Sequence, residues 1–200
     1  DSIYTFLVTP NGVGDAVKNT TGSALKGTNI GQIKFSNDAS KLAFTNKTNN
    51  AVVISEFNNS TGNISNIRNI YPFNHPYGIE FSPNSQYVYV SDINNRKLYQ
   101  CSIPNSSTLI TTACKAIDSN NTFISLQLGP DDNIYSVIQI NQYLGVIKNP
   151  DNYYINCGYI KNAIYLEGKS TRWGLPSFYQ TFFTLDGLIT AYSVCFGDST

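Results

Sequence analysis

The sequence offers few of the side chains that usually carry out enzyme chemistry. His75 is its single histidine, and no partner at a fixed spacing is present to orient the imidazole ring. Catalysis by serine, by cysteine or by a metal-bound water commonly depends on a supported histidine. We therefore interpret His75 as a structural loop residue and expect a protein that is not an enzyme, with no catalytic, cofactor-binding or metal-binding residues.

Carboxylates are concentrated in two turn-like stretches, residues 91–95 (SDINN) and 129–133 (GPDDN). Asp92, Asp131 and Asp132 could bind Ca²⁺ through their oxygen atoms. The same residue types favour Asx-turns, which hold a hairpin together without a metal. We favour the turn interpretation and expect no cofactor, with Ca²⁺ as the alternative.

A stretch rich in aromatic residues supplies the candidates for ligand binding: Tyr153, Tyr154, Tyr159, Tyr165 and Trp173. These rings could fill the space between neighbouring sheets, which is the interpretation that we favour. In the alternative interpretation Tyr153, Tyr154 and Trp173 stack on sugars or on the backbone of a partner.

The four cysteines are Cys101, Cys114, Cys157 and Cys195. They form no CxxC motif and have no histidine at metal-ligand spacing, which argues against a zinc site. Three pairings are open, and the spacing does not choose among them. Cys101 and Cys114 would lie on neighbouring strands of one predicted sheet, where they form a disulfide if the register suits and stay free thiols otherwise.

Composition excludes several classes of function. The chain has 200 residues, with 13 Lys and Arg against 13 Asp and Glu, so it lacks the positive charge of a protein that binds nucleic acid by neutralising phosphates. No apolar run approaches the roughly 18 residues of a membrane-spanning helix. The 14 Tyr and 11 Phe, with no Met, favour β-strands over helices.

A repeat organises the chain. Phe35, Phe81 and Leu128 each end an apolar segment at a turn, and they are 46 and 47 positions apart. A second strand follows each turn, third strands start at residues 52, 98 and 144, and fourth strands are predicted at 64–70, 109–117 and 159–166. Four short antiparallel strands in each repeat are typical of a β-propeller blade.

We therefore predict an all-β protein, a partial β-propeller of about three complete four-stranded blades with partial blades at both ends. Residues 3–8 and the turn at 10–12 resemble the third strand of one incomplete blade and its hairpin turn, and residues 174–183 resemble the first strand of another. Propellers close with about four to eight blades, so we expect the remaining blades of the same protein, or a second chain, as a partner. Eight residues are expected to be buried between blades, and the turn Asn and Asp residues to be exposed: Phe35, Phe44, Ile54, Phe81, Val88, Val90, Leu128 and Val146.

Two resemblances add to this interpretation. Residues 78–91 (GIEFSPNSQYVYVS) resemble the blade consensus of YVTN and NHL-like propellers. Several motifs in order resemble the C-terminal half of the propeller in large cell-surface proteins of Bacteroidota: LQLGPDDNIY at 126–135, YLGVIKNPD at 143–151, Cys157, LEGKS at 166–170 and GLPSFYQTFF at 174–183. Those proteins commonly carry PKD or immunoglobulin-like repeats and a gliding-motility-associated type B sorting domain for type IX secretion.

The resemblance implies that residues 1–183 are the C-terminal part of a propeller and that 184–200 are a linker and the first strand of a following PKD or immunoglobulin-like domain. It implies an extracellular or cell-surface protein, a non-enzymatic module for adhesion, gliding motility or surface assembly. Its partners would include surface glycans or the secretion machinery. Two alternatives stay open: a propeller hydrolase or lactonase, and a carbohydrate-binding propeller that uses Tyr and Trp side chains.

Overall fold

The computed structural model describes residues 2–21, 31–70, 73–103 and 114–175. Its first element is a hairpin of two antiparallel strands, β1 (Ser2–Thr9) and β2 (Gly12–Thr20), joined by the predicted turn. In the described ranges no helix is long and apolar enough to cross a membrane. The boundary predicted at residues 183 and 184, and most of the strand predicted at 174–183, lie outside the described residues.

Three four-stranded antiparallel sheets follow the hairpin in chain order. Blade 1 consists of β3 (Ile33–Phe35), β4 (Lys41–Asn46), β5 (Ala51–Asn58) and β6 (Asn63–Ile70). Blade 2 consists of β7 (Pro76–Phe81), β8 (Tyr87–Asp92), β9 (Lys97–Ser102) and β10 (Cys114–Ser119). Blade 3 consists of β11 (Phe123–Leu128), β12 (Ile134–Ile138), β13 (Tyr143–Ile147) and β14 (Tyr159–Tyr165), with a 3₁₀ helix, Tyr154–Cys157, before β14. The prediction of an all-β partial propeller is confirmed.

The first turns of blades 1 and 2 are built by equivalent side chains of the repeat. In blade 1 the Ser36 hydroxyl donates to Asp38 Oδ1 at 2.6 Å and accepts from the Lys41 backbone N–H at 2.9 Å. In blade 2 the Ser82 hydroxyl donates to Asn84 Oδ1 at 2.8 Å and accepts from the Tyr87 N–H at 3.0 Å. Short polar side chains satisfy the backbone where the strand reverses, which is why these residues recur in turns.

Hydroxyl groups also tie each blade to the next. Thr45 Oγ1, on β4, donates to the Tyr77 carbonyl of blade 2 at 2.6 Å. Ser91 Oγ, on β8, donates to the Ile124 carbonyl of blade 3 at 2.5 Å. Gly78 permits this close approach, because a Cβ at that position would lie 2.1 Å from the Ile124 oxygen. The second strands of blades 1 and 2 are thus bonded to the inner strand of the following blade.

The core consists of apolar layers between successive sheets. One layer lies between blades 1 and 2 and includes Ile54, Phe81 and Val90. Another lies between blades 2 and 3 and includes Tyr89 and Leu128. Each repeat anchor, Phe81 or Leu128, therefore packs against the blade that precedes it.

Seven of the eight residues predicted to be buried are buried, and Phe35 is the exception. It is 40% exposed, and its ring lies 4.8 Å from that of Phe57 in its own blade. The hairpin that precedes blade 1 is bonded at the outer edge of that blade, where Thr5 Oγ1 donates to the Gly62 carbonyl at 2.7 Å. The described residues provide no inner strand before blade 1 to cover Phe35, so its prediction is wrong.

The expected exposure of the turn carboxylates is confirmed for Asp131 and Asp132 and is wrong for Asp92. Asp92 is fully buried at the end of β8. Its side chain bonds the backbone N–H groups of Asn74 at 2.8 Å and Asn95 at 3.2 Å. A carboxylate can be buried when several donors replace water, and here two loop backbones provide them.

Candidate functional site

Three inner strands place polar side chains at equivalent positions of the repeat. Lys34, Glu80 and Gln127 each precede the anchor residue on β3, β7 and β11. The Lys34 ammonium nitrogen lies 3.0 Å from Glu80 Oε2 and donates to Gln127 Oε1 at 2.6 Å. One cation therefore joins blades 1, 2 and 3 at their inner edge.

Glu80 is fully buried, and both of its carboxylate oxygens are bonded. Oε1 accepts from the Phe81 N–H at 2.9 Å. Oε2 accepts from the Leu128 N–H of blade 3 at 2.9 Å, in addition to its ion pair with Lys34. Removing water from a carboxylate is costly unless a cation and hydrogen-bond donors replace it. Glu80 thus fixes the position of the Lys34 side chain, which is 13% exposed.

A second polar layer lies two residues earlier on the same strands. The Gln32 side-chain nitrogen donates to Ser125 Oγ at 2.7 Å. Gln32 Oε1 accepts from the backbone N–H groups of Ile79 at 3.3 Å and Leu126 at 3.4 Å. Residues two apart on a strand share a face, so the two layers form one group, the axial polar cluster: Gln32, Lys34, Glu80, Ser125 and Gln127.

The axial polar cluster combines the ion pair of Lys34 and Glu80 with neutral amide and hydroxyl groups. The contacts above use two of the three N–H groups of Lys34. An ammonium group held in this way can bind an anionic ligand or stabilise an oxygen that becomes negative during a reaction. Sequence reasoning missed this cluster. The signal was present, because a polar residue precedes the apolar anchor in all three repeats.

The structure brings two of the three candidate aromatic residues together. Tyr153 is 47% exposed and Tyr154 is 38% exposed. Their ring centroids lie 6.3 Å apart, and Tyr153 lies 6.2 Å from Tyr87 at the start of β8. Trp173, 50% exposed, is separate from them, since it lies 5.8 Å from Tyr77 at the opposite end of blade 2.

Packing between blades accounts for one member of the aromatic stretch. Tyr159 lies in the layer between blades 2 and 3, with its ring centroid 6.1 Å from that of Phe123. Tyr165 on β14 is 53% exposed. Filling of the space between sheets, the interpretation that we favoured, therefore explains Tyr159. The exposed rings stay available for contact with a ligand.

Cys101 and Cys114 form a disulfide between β9 and β10. They lie directly opposite each other in the antiparallel register. This register, which the spacing alone could not provide, decides between the bridge and the free thiols. Cys157 is a buried free thiol, and Cys195 lies outside the described residues.

The turn carboxylates bind neighbouring side chains and backbone. Burial would raise the pKa of Asp131, but hydrogen bonds from the Tyr135 hydroxyl at 2.8 Å and from Asn133 outweigh this and lower the pKa. For Asp92 burial is the larger effect and raises the pKa, and the bonds from Asn74 and Asn95 offset only part of it. Within the described ranges, no three His, Cys, Asp or Glu side chains are grouped as a metal site would require.

His75 lies in a loop before β7, and its backbone has a positive φ of 62°. Its N–H donates to Asn50 Oδ1 of blade 1 at 2.8 Å, and its carbonyl accepts from the Ile93 N–H at 3.2 Å. These bonds are made by the backbone and connect the loop to two neighbouring segments.

Comparisons with known proteins bear on the fold. No family model matches the chain, and no curated protein matches it. A solved structure of a functionally unknown protein from Desulfotomaculum acetoxidans is 20% identical over 86% of this chain and 53% of that one, with a TM-score of 0.57. A candidate 6-phosphogluconolactonase from Bacteroides fragilis is 14% identical over 84% of this chain and 52% of that one, with a TM-score of 0.53. The chain spans about half the length of these structures.

These comparisons correct one expectation. The protein was expected not to be an enzyme, because local histidine-based motifs are missing. That expectation is wrong, since similar propellers include the candidate lactonase from Bacteroides fragilis. A propeller can assemble polar groups at its inner edge from strands far apart in sequence, as the axial polar cluster illustrates, and a search for local motifs does not find such groups. At sequence identities of 14–20% the similarity to these structures is a similarity of fold, and it shows that the chain has a β-propeller fold.

Proposed function

We propose that this chain is part of an enzymatic β-propeller that hydrolyses a small ester or lactone at its inner edge. The observation that carries the proposal is the position of Lys34, a partly exposed cation that Glu80 and Gln127 hold where three blades meet. The candidate lactonase of similar fold supports the choice of a lactone among ester substrates.

The chemistry that we propose is attack of water on the ester carbonyl carbon. The C=O oxygen gains negative charge as the new C–O bond to water forms. The C–O bond to the alkoxy group then breaks as the C=O bond re-forms, and the released oxygen takes the proton that the attacking water loses. Lys34 would bind the oxygen that becomes negative. A preorganised N–H donor stabilises the negative charge of the transition state more than it stabilises the ground state. Glu80 would act as a positioning residue, since its oxygens already accept three hydrogen bonds.

The test compares two lysines. Lys34→Gln should lower kcat/KM for lactone hydrolysis by about a hundredfold, the usual loss for one oxyanion donor. Lys41→Gln is the matched control, because Lys41 lies at the start of β4 beside Glu56, 4.0 Å away, and should leave the rate within about twofold. The measurement is proton release from a panel of aliphatic and sugar lactones, with circular dichroism as the check of folding.

Two outcomes would contradict the proposal. One is a lack of turnover by the unmodified protein on every lactone and ester of the panel. The other is an equal effect of the two substitutions, which would show that the charge at the inner edge has no special role.

We also propose that the protein works outside the cell. The disulfide between Cys101 and Cys114 supports this, because such bonds persist mainly in oxidising compartments. A surface role in adhesion, gliding motility or assembly is the finer form of the proposal. Its support is the resemblance of residues 126–183 to surface proteins of Bacteroidota. Protease treatment of intact cells would test it, since a surface protein is degraded while the cells stay whole.

The proposed partner of this chain is a further blade that packs on the uncovered face of blade 1, the face opposite to blade 2. Phe35 and Ile33 are exposed on that face, whereas the equivalent Phe81 and Ile79 are buried against blade 1. Such a blade would come from the same protein or from a second chain. The length of the similar structures, about twice the part matched here, supports it.

A further inference from the structure

The segment between β13 and the 3₁₀ helix is fixed to blade 2 by two buried side chains. The Tyr89 hydroxyl donates to the Pro150 carbonyl at 2.7 Å. The Gln100 side chain donates to the Asn152 carbonyl at 2.7 Å, and its oxygen accepts from the Tyr154 N–H at 2.6 Å. Both side chains are fully buried. A loop of blade 3 is therefore held rigidly on the strands of another blade.

This rigid loop presents aromatic rings to solvent. Tyr153 and Tyr154 are exposed side by side, and the Tyr87 ring lies close to parallel with that of Tyr153, at 30°. Tyr154 has a φ of 53°, in the left-handed region, a conformation that is unfavourable in a residue with a side chain. Its N–H bond to Gln100 holds it there. We call these three residues the tyrosine platform: Tyr87, Tyr153 and Tyr154.

The surroundings of the tyrosine platform indicate the chemistry of its ligand. Stacked aromatic rings bind sugars, nucleobases or apolar side chains. Binding of nucleic acid needs several Lys or Arg residues beside the rings. Residues 150–157 (PDNYYINC) contain one charged residue, Asp151, the adjoining strand β10 adds one exposed lysine, Lys115, and the chain as a whole is neutral. Amide groups are present instead, at the exposed Asn152 and Asn156.

We propose that the tyrosine platform is a binding site for neutral oligosaccharides. The C–H face of a sugar ring would stack on Tyr153 and Tyr154, and the sugar hydroxyls would bond the amides of Asn152 and Asn156, which can both donate and accept. The site is separate from the axial polar cluster, because its residues lie on β8 and on the loop and 3₁₀ helix after β13, and not on inner strands. It therefore goes beyond the proposed hydrolysis.

The experiment measures retardation of the purified protein in native gels that contain a neutral polysaccharide. The probes are β-glucan, xylan, mannan and starch, with single-stranded DNA as the charged stacking ligand in a parallel filter-binding assay. Tyr153→Ala should weaken binding to the retarding polysaccharide at least tenfold. Tyr153→Phe keeps the ring and should bind within about twofold of the unmodified protein.

Tyr165→Ala is the matched control, since Tyr165 is equally exposed, at 53%, but lies on β14 beside Tyr143. It should leave retardation unchanged, as should Lys34→Gln, which separates this site from the proposed enzyme. Circular dichroism confirms that each variant is folded. The proposal is overturned if no polysaccharide retards the protein, if Tyr153→Ala binds as well as Tyr153→Phe, or if single-stranded DNA binds and the sugars do not.

Discussion

Asp131 and Asp92 lie in turns of similar composition but have different surroundings. Asp131 is exposed and receives hydrogen bonds from Tyr135 and Asn133, which lower its pKa despite the opposing effect of burial. Asp92 is buried, and its pKa is raised. The folded state therefore favours the ionised form of one carboxyl and disfavours that of the other, so the two contribute with opposite sign to the dependence of stability on pH.

The sign for Asp131 gives a prediction. The folded protein holds this proton less tightly than the unfolded chain, so the carboxylate stabilises the fold above its ordinary pKa of 3.8. That contribution is lost as the pH falls through the lower folded-state value. Asp131→Asn should therefore lose less stability than the unmodified protein between neutral pH and about pH 3. Urea unfolding at each pH measures the difference.

Tyr135→Phe is the companion variant, because it removes the hydroxyl that bonds Asp131 and keeps the ring. It should show the same weaker dependence on acid. Parallel curves of stability against pH for all three proteins would mean that Asp131 has no part in acid sensitivity.

At the scale of residues, the sequence predicted the turn role of Asp131 but not the burial of Asp92. Asx-turn chemistry depends on neighbours in the chain, as in the bond between Asp131 and Asn133. The donors to Asp92 include the Asn74 N–H, which comes from a loop 18 residues earlier. The pairing of Lys34 with Gln127 was missed for the same reason, since these residues are joined across two repeats.

The inner strands repeat their pattern, yet their anchors are not equally covered. Phe81 packs against blade 1 and is fully enclosed, whereas Phe35 faces the side where the described chain has no inner strand. Phe81→Ala should cost about 3–5 kcal/mol of unfolding free energy, as large-to-small changes in a core do. Phe35→Ala should cost about 1 kcal/mol, as partly exposed positions do. Chemical denaturation of both variants measures the difference.

Equal losses at the two positions would contradict this account of the core. In a protein that also contains the proposed further blade, Phe35 would become an enclosed anchor, and the loss on Phe35→Ala should then rise toward that of Phe81→Ala.

At the scale of elements, apolar alternation and turn residues were enough to find the strands of the three blades. Their order follows because consecutive strands joined by short turns pair with each other. The fourth strand predicted at 109–117 overlaps β10, and residues 109–113 lie outside the described ranges. The sequence did not predict the register of the strands, and so it did not predict that Cys101 lies opposite Cys114. Register depends on contacts between strands and not on either strand alone.

The whole molecule has an apolar end at the N-terminal hairpin. Tyr4 and Phe6 are 54% and 55% exposed, on the face of the hairpin that points away from blade 1, while Ile3 packs against blade 1. Exposed apolar patches of this kind mark surfaces that other protein elements cover. This face agrees with the proposed further blade, which would lie over the hairpin and the uncovered part of blade 1.

A prediction follows for the isolated chain. With the further blade absent, this face should drive self-association, and Phe6→Lys should reduce the apparent mass at a given concentration, because it places a charge in the patch. Asn11→Lys is the control, since it adds the same charge at the hairpin turn without removing a ring. Light scattering coupled to gel filtration measures the mass. A monomer at all concentrations, or an equal effect of the two substitutions, would contradict the prediction.

The three-way contact of Lys34, Glu80 and Gln127 also affects how a solute could move between the two ends of the blades. Atoms 2.6 and 3.0 Å apart leave no gap through which a water molecule could pass. Where the inner strands of blades 1 to 3 meet, these side chains therefore bar direct passage between Lys34 and its two partners. A solute that passed between these side chains would require Lys34 to swing away from Glu80 and Gln127.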